Sequence, residues 1–170
     1  MANTIACVIV GAKLDYCNSL LYSTSVANIA KLQRVQNSLA RVVTGTRKYD
    51  HITPTLAKLH WLPVSHRITF KVATLTFKTL QFGKPTYLSS RIHRYHPSRD
   101  LRSANEIRLQ PPNISLIRIA TASIAFSATA PTIWNNLPTD IRAHLATNSL
   151  FTFRREIKKY LFQLAFPPRR

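Results

Sequence analysis

Between His51 and Phe82 the chain reads HITPTLAKLHWLPVSHRITFKVATLTFKTLQF, and this stretch limits the fold more than any other. Thr53 and Pro54 form a cap and first-turn pair, which predicts a short helix over 54–60. Trp61 and Leu62 then supply a bulky apolar anchor for the core. Pro63 opens a second helix, from Val64 to about Phe82. Its inner face is Val64, Ile68, Val72, Leu75 and Leu80. Phe70, Phe77 and Phe82 widen that stripe, so packing on more than one side is expected. The β-branched and aromatic residues of this run also suit strands, which stay as the alternative.

The segment before it carries the same periodicity. Ser25 is an N-cap for a helix from about Val26 to Val43, and Gly45 suits its C-terminal end. Ile29, Leu32, Val35, Leu39, Val42 and Val43 recur at three- and four-residue steps as one apolar face. Lys31, Arg34 and Arg41 fall mainly on other faces, with Gln33 and Gln36 in between. Residues 3–10 read as a strand or the last turns of a helix, which Gly11 would stop. Their apolar run looks like the stump of an element whose earlier part is missing. Leu14, Leu20 and Leu21 follow as core contacts, Asp15 and Asn18 as caps, and Cys17 as a small buried thiol.

After Phe82 the chain becomes less regular. Gly83-Lys84-Pro85 closes the long helix, and a short helix reaches about Ile92. The Arg-dense stretch to Asn113 fits an extended loop with a small hairpin, Leu101-Arg102 pairing with Ile107 to Leu109. Leu116 to Ala130 reads as a small-residue helix ended by Pro131. A second aromatic-proline turn holds Trp134 as a core anchor. Ser149 caps a last helix over 149–164, with Leu150, Phe153, Ile157, Tyr160, Leu161 and Leu164 inward. The expected fold is mainly α: an irregular multi-helix domain with a small β-hairpin near residues 100–110. Residues 12–164 form that domain, 1–11 a remnant of a preceding element and 165–170 a loose basic tail.

Charge narrows the function. Twenty-four Lys and Arg face 6 Asp and Glu, a formal net charge of +18. The basic residues are spread: 1–60 hold seven against two acids, 61–112 nine against two, and 113–170 eight against two. Such an imbalance opposes compaction and favours a polyanionic partner. Arg34, Asn37 and Arg41 are spaced to lie against phosphates. Arg47-Lys48-Tyr49 could touch a phosphate and stack on a base. Arg154, Arg155, Lys158 and Lys159 make the last helix basic outside.

Catalytic chemistry is missing. The carboxylates are Asp15, Asp50, Asp100, Glu106, Asp140 and Glu156, and only Asp100 and Glu106 are near each other in sequence. Two-metal phosphoryl transfer needs several held close together. No GxSxG, HExxH or Walker motif occurs, and Gly45 alone makes no phosphate-cradling loop. His93 and His96 lack a third ligand nearby, and His60 and His66 have no catalytic partner. No cofactor, no metal and no enzyme activity are expected. A nuclease remains as an alternative if the fold assembles Asp50, Asp100, Glu106 and Asp140. Cys7 and Cys17 make no disulfide framework, and the apolar start is too short to span a bilayer. An intracellular, reducing setting is expected, nucleus or cytoplasm, with no membrane partner.

Several words stand in a telling order. Leu14-Asp15-Tyr16-Cys17-Asn18-Ser19-Leu20-Leu21-Tyr22, Leu32-Gln33-Arg34-Val35-Gln36-Asn37, His51-Ile52-Thr53-Pro54 and Leu59-His60-Trp61-Leu62-Pro63-Val64 come first. Pro85-Thr86-Tyr87-Leu88, Leu101-Arg102-Ser103, Ala125-Phe126-Ser127, Ala130-Pro131, Trp134-Asn135-Asn136-Leu137-Pro138 and the run from Phe151 to Phe162 follow. Together they resemble the region after the polymerase core of reverse transcriptases from non-LTR retrotransposons, over about residues 12–164. The resemblance implies a C-terminal fragment of an RNA-directed DNA polymerase. It also implies packing against the polymerase thumb and help in holding RNA or DNA. The family's catalytic Phe/Tyr-Ala-Asp-Asp word is absent, so no catalytic residue carries over. The chain departs from the pattern at Ser23, where the family has Gly, and at Thr121, Ala122 and Ile124. Departures of this kind fit drift in a decayed copy. An inert packing module of the parent polymerase is the other reading.

Overall fold

The structure is a computed structural model that describes residues 2–96, 107–111 and 126–167. It is mainly helical, with eight α-helices and no named strand among the described residues. These are α1 (Ala2–Asp15), α2 (Val26–Thr44), α3 (Ile52–Lys58), α4 (Val64–Phe82), α5 (Thr86–Ser89), α6 (Phe126–Asn135), α7 (Thr139–Ala143) and α8 (Leu150–Ala165). A 3₁₀ turn, Asn18–Leu21, lies between α1 and α2. The chain divides into two compact units, Met1–Ile68 with Lys159–Arg170, and Thr69–Lys158.

In the first unit α1 runs straight through Gly11, which therefore stops nothing. A lone glycine costs a helix only about 1 kcal/mol, and apolar neighbours on both sides offset that. Leu14, Val64 and Ile68 form a buried cluster, with Val10, Leu21, Tyr22, Ile29 and Leu32 packed against it. Cys17 is exposed rather than buried, and it adopts a left-handed backbone at the turn that ends α1. Leu20 also faces outward. Asp15 is no cap, because both its oxygens accept from Arg67 Nη1, at 2.9 and 3.0 Å. Asn18 is buried, and its Oδ1 has no partner among the described residues.

α2 begins and ends as its sequence dictates. Ser25 Oγ accepts from Asn28 N, and Gly45 takes a left-handed backbone at φ 67°. Its inner face, however, is turned from the expected one. Gln36, Leu39 and Ala40 are buried, whereas Val35 and Val42 are 49% and 61% exposed. The reason is a polar network. Gln36 Nε2 donates to Leu62 O at 2.8 Å, and Gln33 Oε1 accepts from Val64 N at 2.9 Å. Gln33 Nε2 donates to Gln36 Oε1 and to Asn37 Oδ1, each at 2.9 Å. Two glutamines thus hold the backbone on either side of Pro63, and burying them leaves their amides satisfied.

α3 starts earlier than expected, with His51 rather than Thr53 at its N-cap. Pro54 still lies in the first turn, where its missing N–H costs nothing. The helix closes with Trp61 N donating to Leu56 O and His60 N to Ala57 O, each at 3.0 Å. This is a Schellman closure with His60, at φ 54°, in the position glycine usually takes. It points Leu62 into the core and leaves Trp61 only half-buried.

The second unit is built on stacked aromatics. Phe77 and Phe153 lie 4.4 Å apart between centroids, and Trp134 stacks on Phe153 at 5.9 Å. Val72, Ala73 and Ile157 are buried with them, while Leu75 and Leu80 are half-buried and Phe82 is exposed. Buried threonines fill the rest of α4: Thr76 Oγ1 donates to Val72 O and Thr79 Oγ1 to Leu75 O. Pro131 does not end its helix but sits inside α6. It is the sixth residue of α6, and Thr132 Oγ1 bonds Ala128 O one residue along from the carbonyl that the ring deprives. The 107–110 segment pairs antiparallel with 93–95 through Tyr95 N to Arg108 O and Gln110 N to His93 O. Leu101-Arg102, the expected partner, lies outside the described residues, as do residues 116–125 of the expected small-residue helix. In α8, Ser149 Oγ accepts from Thr152 N at 3.2 Å, so the cap is the expected one, whereas Leu164 is exposed.

Two substitutions test this account by chemical denaturation. Gln36→Ala removes a buried donor and its packing, and should cost about 2 kcal/mol. Ser23 has φ 65°, so Ser23→Gly relieves a left-handed strain of about 1–2 kcal/mol against a backbone-entropy loss of about 0.5–1. A modest net stabilisation is expected, and an unchanged or lowered midpoint contradicts it.

Candidate nucleic-acid interface

The basic residues singled out from the sequence fall into two groups. In the first unit Arg34 stands exposed on α2, while Arg41 is half-buried and turned inward. Its Nε donates to Arg47 O at 3.4 Å and its Nη2 to Asp50 O at 3.1 Å. Arg41 therefore holds the turn after α2 instead of facing outward. Asp50 closes the same turn, accepting from Arg47 N at 3.2 Å through Oδ2. Thr44 Oγ1 bonds Ala40 O at 2.8 Å and Thr46 Oγ1 at 2.6 Å, which ties the start of the turn to the helix end. Thr46 Oγ1 lies 3.3 Å from Thr55 Oγ1 on α3. What this bracing presents to solvent is Arg47, Lys48 and Tyr49, the tyrosine 91% exposed.

In the second unit Arg154, Arg155 and Lys158 stand exposed on α8, and the next residue of that helix, Lys159, is exposed as well. Arg155 Nε is 3.1 Å from Glu156 Oε1, a surface pair worth well under 1 kcal/mol. The Arg154 guanidinium lies 5.8 Å from the Phe70 ring centroid, which orients its stem without using up its hydrogen-bond donors.

The groups that would carry metal or acid–base chemistry are only partly among the described residues. Asp100 and Glu106 lie outside the described residues. Asp50 is engaged in its own turn, and Asp140 is in the first turn of α7. Among the described residues no three His, Cys, Asp or Glu side chains group as metal ligands would. His93 and His96 are exposed, on and just beyond the paired segment rather than on a helix. The His60 ring packs against Phe162 at 5.5 Å. A cleft of about 330 Å³ in the first unit is lined by Cys7, Leu14, Asp15, Gln36, Trp61 and Arg67.

Sequence reasoning passed over the polar residues that work hardest. Arg142 is buried, with Nε on Leu137 O at 3.0 Å and Nη1 on Ile107 O at 3.4 Å. Asn135 offers its amide to Leu109 as a strand would, Oδ1 accepting from N and Nδ2 donating to O, both at 2.9 Å. Trp134 Nε1 donates to Ile107 O at 2.9 Å. The one signal available was that Asn135 directly follows a tryptophan expected in the core.

No helix among the described residues is long and apolar enough to cross a membrane. Comparisons with protein-family models, with curated proteins and with solved structures found no match.

Half-buried His66 gives the fold a pH dependence. Burial lowers its pKa below the ordinary 6.5, so the unfolded chain takes up a proton first as pH falls. Its contribution is complete above about pH 6.5 and is lost as pH drops through the lowered value. The urea midpoint should fall between about pH 7.5 and 5.5, and His66→Gln should flatten that fall.

Proposed function

We propose that this chain is a non-catalytic nucleic-acid-binding region of the kind that follows the polymerase core in non-LTR retrotransposon reverse transcriptases. Its work is to hold the phosphate backbone of RNA or DNA while another part of the polymerase supplies the chemistry. The observation that carries the reading is the exposed cationic set, Arg34, Arg47, Lys48, Arg154, Arg155, Lys158 and Lys159, on a chain of net charge +18. Among these only Arg155 has a carboxylate in ion-pair contact within the described residues. Arg41 belongs to the site as the residue that positions Arg47 and Lys48.

The resemblance draws support from where its words meet. Gln33 and Gln36 of the Leu32–Asn37 word bond the backbone of the Leu59–Val64 word. Asp15 pairs with Arg67, three residues beyond that second word. Ser23, where the family has Gly, adopts a backbone that favours glycine. The packing half of the role is favoured by Ile5, Val8 and Ile9 of α1, which are all more than half exposed. Such a face suits contact with a neighbouring polymerase segment.

The test is a salt titration of binding to structured RNA and to duplex DNA. Affinity should weaken steeply as salt rises, because each neutralised phosphate adds about 0.9 to the logarithmic slope on a duplex. Replacing Arg154, Arg155, Lys158 and Lys159 by Gln should reduce that slope by roughly 2–4, to the extent that each touches a phosphate. No binding, or binding indifferent to salt, overturns the proposal.

A further inference from the structure

We infer that the turn Arg47-Lys48-Tyr49-Asp50 is a stacking platform for an unpaired base, so that the first unit prefers single-stranded nucleic acid at this point. The inference rests on the backbone-binding reading above and names the partner's form. Three observations carry it. Tyr49 is 91% exposed, although a phenol ring gains by burial. The turn that displays it is nevertheless heavily braced: Arg41 takes the carbonyls of Arg47 and Asp50, Asp50 takes the Arg47 N–H, and Asp50 N returns to Arg47 O at 3.2 Å. The Lys48 ammonium lies 5.8 Å from the Tyr49 ring centroid, with Arg47 beside it in the chain.

Bracing of this kind fixes the backbone and leaves the three side chains free. On a fixed backbone a tyrosine has only two side-chain torsions left to order, so little entropy is lost when a base stacks on it. Every base has a π-face, so such a platform tolerates sequence. Duplex bases are already stacked on one another and cannot use it. Lys48 and Arg47, which directly precede the tyrosine in the chain, supply cations for the phosphates of the stacked nucleotide. Arg41 is a positioning residue here, since its guanidinium is occupied by the turn's carbonyls.

The experiment uses the full chain and fluorescence anisotropy with labelled oligouridine, a duplex of the same length, and vesicles containing phosphatidylserine. Tyr49→Ala should weaken oligouridine binding by roughly 5- to 100-fold and Tyr49→Phe by less than about 2-fold, with duplex affinity nearly unchanged. Arg41→Gln, which releases the turn, should weaken oligouridine binding, and Lys48→Gln should lower the salt slope. Circular dichroism checks that each variant keeps its helix content. If duplex binding and its salt slope persist but Tyr49→Ala leaves oligouridine affinity untouched, the platform is refuted and backbone binding stands. If neither nucleic acid binds, both fail. Tyr49-dependent vesicle binding without oligouridine binding assigns the turn to an anionic lipid surface and overturns the inference.

Discussion

The entry to α4 is held by one hydrogen-bonded chain, and the first unit depends on it. Val64 N–H is one of the donors that a helix start leaves unpaired, and Gln33 Oε1 takes it. Leu62 O, two residues earlier, accepts from both Gln36 Nε2 and Arg67 Nε. Arg67 then reaches Asp15 at the end of α1. Pro63, which has no N–H to offer, sits between the two gripped residues. The network thus ties α1, α2 and the start of α4 together through groups that would each cost about 1–3 kcal/mol if buried alone.

The second unit solves a similar problem by similar means. The 107–110 segment pairs with 93–95 through Arg108 O and Gln110 N, and Asn135, Trp134 and Arg142 supply partners for Ile107 and Leu109. The side-chain amide of Asn135 does what a neighbouring strand would do. In both units, irregular backbone between helices is made affordable by polar side chains projecting from helices. Those side chains sit within or beside the ordered words of the sequence. Such words are therefore as much a record of backbone support as of any activity.

The helix ends set by Ser25, Gly45, Pro63, Gly83 and Ser149 were legible because each acts within a turn of the chain. Gly11 and Pro131 instead stand inside helices, and His51 rather than Thr53 caps α3. Helix faces were legible only in part. Apolar periodicity placed Val35 and Val42 inside and Gln36 at the edge, whereas the structure does the reverse. Nothing near Gln36 in sequence shows that Leu62 O, twenty-six residues on, awaits its amide. Trp61 and Trp134 read alike in sequence, but a Schellman closure turns the first partly outward and a carbonyl at Ile107 fixes the second inside. Arg41 looks like a phosphate contact in sequence for the same reason: its carbonyl partners lie beyond the helix end. Local rules found the elements, and tertiary polar partners decided which way they face.

That division bears on how so basic a chain can stay compact. With 6 acids against 24 bases, side-chain carboxylates cannot balance the field. Part of the counter-charge comes from the backbone. Lys13, Arg41, Lys58 and Arg142 all occupy the last turn of their helices, where unpaired carbonyls carry partial negative charge. Each such placement is favourable by about 0.3–1 kcal/mol. The opposite ends are left alone: among the described α-helices only α7 has an acid in its first turn, Asp140. Positive helix starts therefore add to the exposed cations instead of offsetting them. A chain arranged this way satisfies its buried cations internally and leaves its surface field unbalanced. A bound polyanion would relieve that field, and by linkage the folded state would gain stability from binding.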